Sequence, residues 1–181
     1  MEEIVTDAVV LQNRSFAYYG NNRNISLFTE KLGRVEATAI SGFKITSKLS
    51  PHLNPLNLVR VRLINKNKFI IADALTIDTF KNIRKDEYKL KGFFDLFFLV
   101  QSLTPQILPD HNLWQEIIER MKKSEIKNKN ILNILGYEPS FSDCFKCGKK
   151  NIDYFLIEDQ LFLCSKCKTK INDDKLIKII D

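Results

Sequence analysis

The sequence predicts an α+β chain: a small β unit over residues 1–80, then a helical domain over 81–181 that carries a four-cysteine zinc ribbon at 141–170. Three observations predict it. Residues 4–75 alternate apolar and polar with period two, residues 78–135 place apolar side chains at helical spacing, and the four cysteines form two C-x2-C pairs near the end.

The strands come first. Val9 and Leu11, Ile25 and Leu27, then Val35, Ala37 and Ala39 each mark one face of a short strand. In NLVRVRLINKNKFIIADAL, Val59, Val61 and Leu63 point one way while Arg60 and Arg62 point the other, and Asn65-Lys66-Asn67-Lys68 turns the chain into Phe69-Ile70-Ile71. About five such strands make a small antiparallel barrel or sandwich. The helices follow. Asp78 is placed to cap a helix through Arg84, Gly92–Leu103 is apolar almost all round as a central buried helix would be, and Pro105 stops it. Asp110 caps a helix carrying Leu113, Ile117 and Met121. Ser124 caps another carrying Ile131, Leu132 and Leu135 that ends at Gly136, and a last short helix is expected over 174–180.

Cys144, Cys147, Cys164 and Cys167 lie in two pairs sixteen residues apart, a spacing that lets four thiolates converge on one ion. Gly148 follows the first pair where a tight knuckle needs a residue without a side chain, and YFLI and LFL flank Glu158-Asp159-Gln160 as a hairpin. One structural Zn2+ is expected, with rubredoxin-type iron and a pair of disulfides as the weaker readings. Four protein sulfurs leave no open coordination position, so the ion holds the chain rather than performing chemistry.

The N-terminus MEEIVTDAVVL opens with two acids rather than a basic region and has no export signal, and the apolar run Phe93–Val100 is broken by Asp95 and too short to cross a bilayer. A cytoplasmic protein without a membrane partner is therefore expected. Net charge is +6, concentrated between Arg23 and Lys68, where nine basic residues face only Glu30 and Glu36. That block favours a polyanionic partner over a merely solvated surface. His52 and His111 stand apart from any cysteine or paired carboxylate, and no phosphate-binding or nucleophile-elbow motif occurs, so no catalysis is expected. Arg60 and Arg62, continued by Lys66 and Lys68, would form a positive stripe for phosphates. Phe16, Tyr18 and Tyr19, between the first two strands, fall where an OB-fold barrel can stack bases.

DAVVL near the start, SLFTEKLGRV ending in Gly33-Arg34, SKLSPHLNPLN, and GYEP leading into C-x2-CG and C-x2-C occur in the order found in the RecO family of DNA repair proteins, which this chain resembles over nearly its whole length. The resemblance implies an N-terminal OB-fold, a helical domain with a zinc ribbon, and recombination mediation: binding of single- and double-stranded DNA, strand annealing, and work with RecR, single-stranded DNA-binding protein and, indirectly, RecA. Where the family shows a basic A-K-G-x-R cluster, this chain reads Ala39-Ile40-Ser41-Gly42-Phe43-Lys44, and its helical region is shorter. The DNA-binding residues expected are Arg23, Arg34, Lys44, Lys48, Arg60, Arg62, Lys66 and Lys68. The rival readings are a zinc-stabilised adaptor that contacts only proteins and an RNA- or ribosome-associated barrel-plus-ribbon protein.

Overall fold

The computed structural model describes residues 2–15, 22–40, 47–171 and 176–181. Five strands close into a barrel: β1 (Glu2–Ser15), β2 (Arg23–Thr29), β3 (Gly33–Ala39), β4 (Leu58–Asn65) and β5 (Phe69–Asp78), in the order β1-β2-β3-β5-β4. The period-two pattern dictates the inside. Along β4, Val59, Val61 and Leu63 are buried and Arg60 and Arg62 exposed; Ala8, Val10, Ile25, Leu27, Val35, Ala37 and Ile71 complete the core. β1 is long enough to serve two neighbours. Its first half pairs with β4 and its second with β2, and a bulge between Val10 and Gln12 bends it from one to the other.

The barrel closes through a short parallel contact, Ala37–Phe69 and Thr38–Ile70, which makes it the OB-type barrel expected. The rest of the β3 edge is covered from another quarter. Ile107 N donates to Arg34 O at 2.9 Å and Gln106 bridges to Arg34, so the segment after the long helix occupies the gap. Gly33 makes this possible: its φ is +68°, and a Cβ there would lie 2.0 Å from the Leu108 carbonyl oxygen. The HLNPLN stretch has an equally concrete role. Leu53 and Leu56 are fully buried, Leu56 N donates to Val10 O, Val10 N to Asn57 O, and the Asn57 amide to His52 O. His52 Nδ1 accepts from Thr76 N at 3.1 Å, which makes the ring a structural acceptor.

Two helices stay with the barrel. α1 (Lys81–Arg84) sends the Arg84 guanidinium to Pro55 O and Asn57 Oδ1, and Asp78 accepts from Phe80 N just ahead of it. α2 (Glu87–Leu103), capped by Asp86, buries Phe93, Leu96, Phe97 and Val100 and packs against β1. It is not buried all round: Phe94 and Phe98, one turn apart, are 42% and 43% exposed, so α2 lies on the surface of its unit rather than at a centre. α3 (His111–Lys123) is capped by Asp110 through Leu113 N. The chain divides within it into two compact units, 1–114 and 115–181. Strands give way to helices near residue 80, but the contacts of Arg84 and Arg34 keep α1 and α2 in the first unit.

In the second unit Arg120, 11% exposed at its side chain, pairs with Glu116 and Glu125. α4 (Lys129–Ile134) begins after Asn128, not after a Ser124 cap. Ser124 adopts φ +54° and turns the chain instead. The expected terminal helix is a strand, β8 (Leu176–Lys178), paired antiparallel to β6 (Tyr154–Leu156), whose other edge holds β7 (Leu161–Leu163). Strand won because β6 has an open edge, and because buried Asn128 donates to Lys178 O and accepts from Ile180 N. Tyr137, from GYEP, sets its ring against Phe155 at 4.9 Å.

Candidate metal centre and nucleic-acid interface

Each C-x2-C pair forms a knuckle. Cys147 N and Gly148 N donate to Cys144 O, and Cys167 N and Lys168 N donate to Cys164 O. Gly148 sits at φ +67°, as a knuckle exit requires. These turns aim the four sulfurs at one point: all Sγ atoms lie within 4.8 Å of one another, and Cys147 and Cys164 Sγ are 3.7 Å apart. A tetrahedral thiolate site with metal–sulfur bonds near 2.3 Å sets its sulfurs about 3.8 Å apart. The donor set therefore fits a metal ion, and the cysteines are not disulfide-bonded. The acidity of the thiols agrees. Burial pushes Cys144 up, but backbone groups of Cys164, Cys147 and Lys146 outweigh it and bring that thiol down to about 6. Cys167, hydrogen-bonded to the Cys147 and Cys164 sulfurs, is pushed up to about 12. Four thiols this close resist ionising together without a cation to offset their repulsion.

The expected DNA-binding residues do not form one stripe. Arg23 opens β2 opposite Ala39, and Lys66 and Lys68 are exposed in the β4–β5 turn beside Phe69, so these three share one rim of the barrel. Arg60 and Arg62 stand on the outer wall of β4, but each meets an acid on β1. Arg60 forks onto Asp7 with bonds of 2.7 and 3.1 Å, and Arg62 lies 3.5 Å from Glu3. Arg34 belongs to the opposite end of the barrel, where its Nε donates to Thr104 O at 3.0 Å and its Nη1 faces Glu36; only 17% of its side chain is exposed. Lys48 is exposed in the segment leading to HLNPLN. Lys44, Phe16, Tyr18 and Tyr19 lie outside the described residues.

A groove of about 370 Å³ opens on the outer wall of β1–β2–β3. Gln12 and Arg14 of β1, Asn24 of β2, Arg34 and Glu36 of β3 and the exposed Phe98 of α2 line it. Gln101 Nε2 beside it is buried and has no hydrogen-bond partner among the described residues. Arg14 and Phe98 escaped the sequence reading. Arg14 falls at the end of a strand whose alternation is broken by the bulge, and Phe98 sits in a helix too apolar to reveal which face is wet.

A family model described as the recombination protein O N-terminal domain matches residues 1–75, covering the barrel to within three residues of its end. A second, the recombination protein O C-terminal domain, matches residues 129–175 and includes both knuckles. The chain belongs to the RecO family. A DNA repair protein RecO of Dehalococcoides mccartyi is 29% identical over 81% of the chain and 64% of its own length. Proteins of the same name from a Thermoanaerobacter species and from Thermodesulfovibrio yellowstonii are 24% and 29% identical, over 97% and 91% of the chain and 75% and 70% of their own lengths. The chain thus spans roughly two thirds to three quarters of these RecO relatives. None of its described helices is long and apolar enough to cross a membrane.

Proposed function

We propose that the chain is a recombination mediator that acts by holding DNA and performs no covalent chemistry. The observation that carries this reading is the groove on the barrel of a RecO-family chain. Arg14, whose Nε is bonded to Gln12, offers its remaining guanidinium N–H groups to a phosphate, Gln101 Nε2, unpartnered among the described residues, offers a hydrogen bond, and Phe98 offers a ring on which a base can stack. Single- and double-stranded DNA are the ligands, with affinity that falls steeply in salt. Annealing of complementary strands, loading of RecA together with RecR, and contact with single-stranded DNA-binding protein follow from the family. A single Zn2+ at the four cysteines braces the second unit from a closed coordination sphere. The site of action is the cytoplasm, at the nucleoid.

The adaptor reading draws on a different wall. Val5, Leu75 and Ile77 are exposed around the ion-paired Arg60 and Arg62, a mixed surface that suits a protein partner. Titrating binding to labelled single strands, duplex and RNA across a salt series separates these readings, with a strand-annealing assay run with and without single-stranded DNA-binding protein. A mediator binds DNA with a log–log salt slope of about −0.7 per phosphate on single strands and accelerates annealing. Absence of DNA binding at low salt leaves the adaptor, and a preference for RNA favours the third class.

A further inference from the structure

The first knuckle shows its aromatic residue to solvent. Phe145, between the two cysteines of the first pair, is 68% exposed although its backbone is fixed: its N–H donates to Phe162 O at 3.0 Å. An apolar ring held rigidly in water costs free energy that folding does not recover, and a core residue would be expected to turn inward. Four lysines surround it in the chain and across the site. Lys146 lies at the same tip. Lys149 and Lys150 follow where Cys144 N bonds back to Lys149 O, and Lys166 occupies the tip of the second knuckle, which the convergent sulfurs hold beside the first. All four are exposed, and none makes an ion pair among the described residues. With Lys168 of the second knuckle they outnumber Asp143, Asp153, whose carboxylate accepts from Ser165, and the two formal negative charges of a four-thiolate site holding a divalent ion.

We propose that the knuckle pair is a second binding surface for single-stranded nucleic acid, with Phe145 stacking one unpaired base and Lys146, Lys149, Lys150 and Lys166 meeting the flanking phosphates. One ring among four ammonium groups offers too little apolar area for the core of a protein interface. It matches the repeat of a single strand, a flat base between two anions. A duplex keeps its bases stacked and gives the ring nothing to hold. The inference rests on the DNA-binding reading and deepens it: a chain that brings two strands together needs two places to hold them, and the ribbon supplies one of its own.

The test uses the metal-loaded full chain and oligo-dT of about 16 nucleotides or more, enough for one barrel site. Phe145→Ala and Lys149→Glu/Lys150→Glu are compared with Lys122→Glu/Lys127→Glu, which makes the same charge change at exposed positions of the same unit. Metal content and far-UV circular dichroism establish that each variant is folded. The expected result is about tenfold weaker binding for Phe145→Ala, at the lower end of what base stacking contributes. For Lys149→Glu/Lys150→Glu the salt slope falls by about 1.4, two phosphates' worth, with little change in the Lys122/Lys127 control. Ultraviolet crosslinking of a bromodeoxyuridine-substituted strand should label the peptide holding Phe145. If wild-type chain binds and the knuckle variants behave like the control, with no crosslink at Phe145, this surface is ruled out and the mediator reading stands. If wild-type chain binds no oligonucleotide at low salt, both fall together.

Discussion

Two clusters of positive charge differ in one respect, whether an acid stands opposite. On the barrel wall Arg60 and Arg62 read from the sequence as a bare stripe, yet Asp7 and Glu3 on β1 answer them one for one. On the ribbon Lys146, Lys149, Lys150 and Lys166 meet no acid among the described residues. The difference follows from architecture. A barrel strand has a neighbour on each side with its outward residues in register, so a charge on one strand selects its complement on the next. A knuckle is a turn held by a metal, with no neighbouring strand to supply the complement. Basic residues on turns are therefore freer to bind than those on walls, and their number in a sequence says little without that distinction.

The units also differ in what holds them, and metal removal breaks that comparison most sharply. The barrel has its own core, whereas the ribbon has three-residue strands and a small cluster of Leu156, Leu163 and the cysteines. Structural zinc in such domains contributes on the order of 10–16 kcal/mol. Chelation or Cys144→Ser should release the metal and unfold β6–β8 while the barrel persists. Limited proteolysis should then leave a resistant fragment close to residues 1–114 and cut freely after it. Protection of both units without metal would show that the ribbon supports itself.

The barrel has a corresponding weak point at Gly33. Gly33→Ala forces a residue with a side chain to φ +68° and drives its Cβ into Leu108 O. The backbone conformation alone costs about 1–3 kcal/mol, and the clash must be relieved by displacing the segment that covers the β3 edge. Thermal melting should show a clear drop in the first unit with the metal stoichiometry of the second unchanged. An unaltered melting temperature would mean that this segment does not close the barrel.

How much of this was legible follows from the range of each interaction. The alternation of Val59, Val61 and Leu63 and the spacing of the four cysteines are local, so strands, barrel class and metal site could be read directly. The pairing of Arg60 with Asp7 spans 53 residues, and nothing near either one reveals it. The same holds at the C-terminus. Residues 174–180 carry no strand signal of their own; the strand exists because β6 has a free edge and Asn128, some fifty residues earlier, clamps the segment to it. The motifs Gly33-Arg34 and HLNPLN were visible as family marks, but their work is structural. They tie α2 to β3 and fill the barrel beside Val10, which is why Arg34 is mostly covered rather than offered to a ligand.

The smallest effect is the one that bears most directly on the pairing. Asp7→Asn/Glu3→Gln removes both acids from the wall and leaves Arg60 and Arg62 in place. Arg60 is well exposed, and although the hydrogen bond to Asp7 raises its proton affinity further, a guanidinium is charged without it, so losing the partner leaves it charged and hydrated rather than buried and orphaned. Stability should change little. Two arginines would then be free for phosphates, and the log–log salt slope for single-stranded DNA should steepen by up to about 1.4 relative to wild type. In the wild-type background Arg60→Gln/Arg62→Gln should alter that slope far less, because those cations are already occupied. If the arginine substitutions weaken wild-type binding as strongly as the acid substitutions strengthen it, the pairs open readily in the presence of DNA. The wall would then be as available as the knuckles.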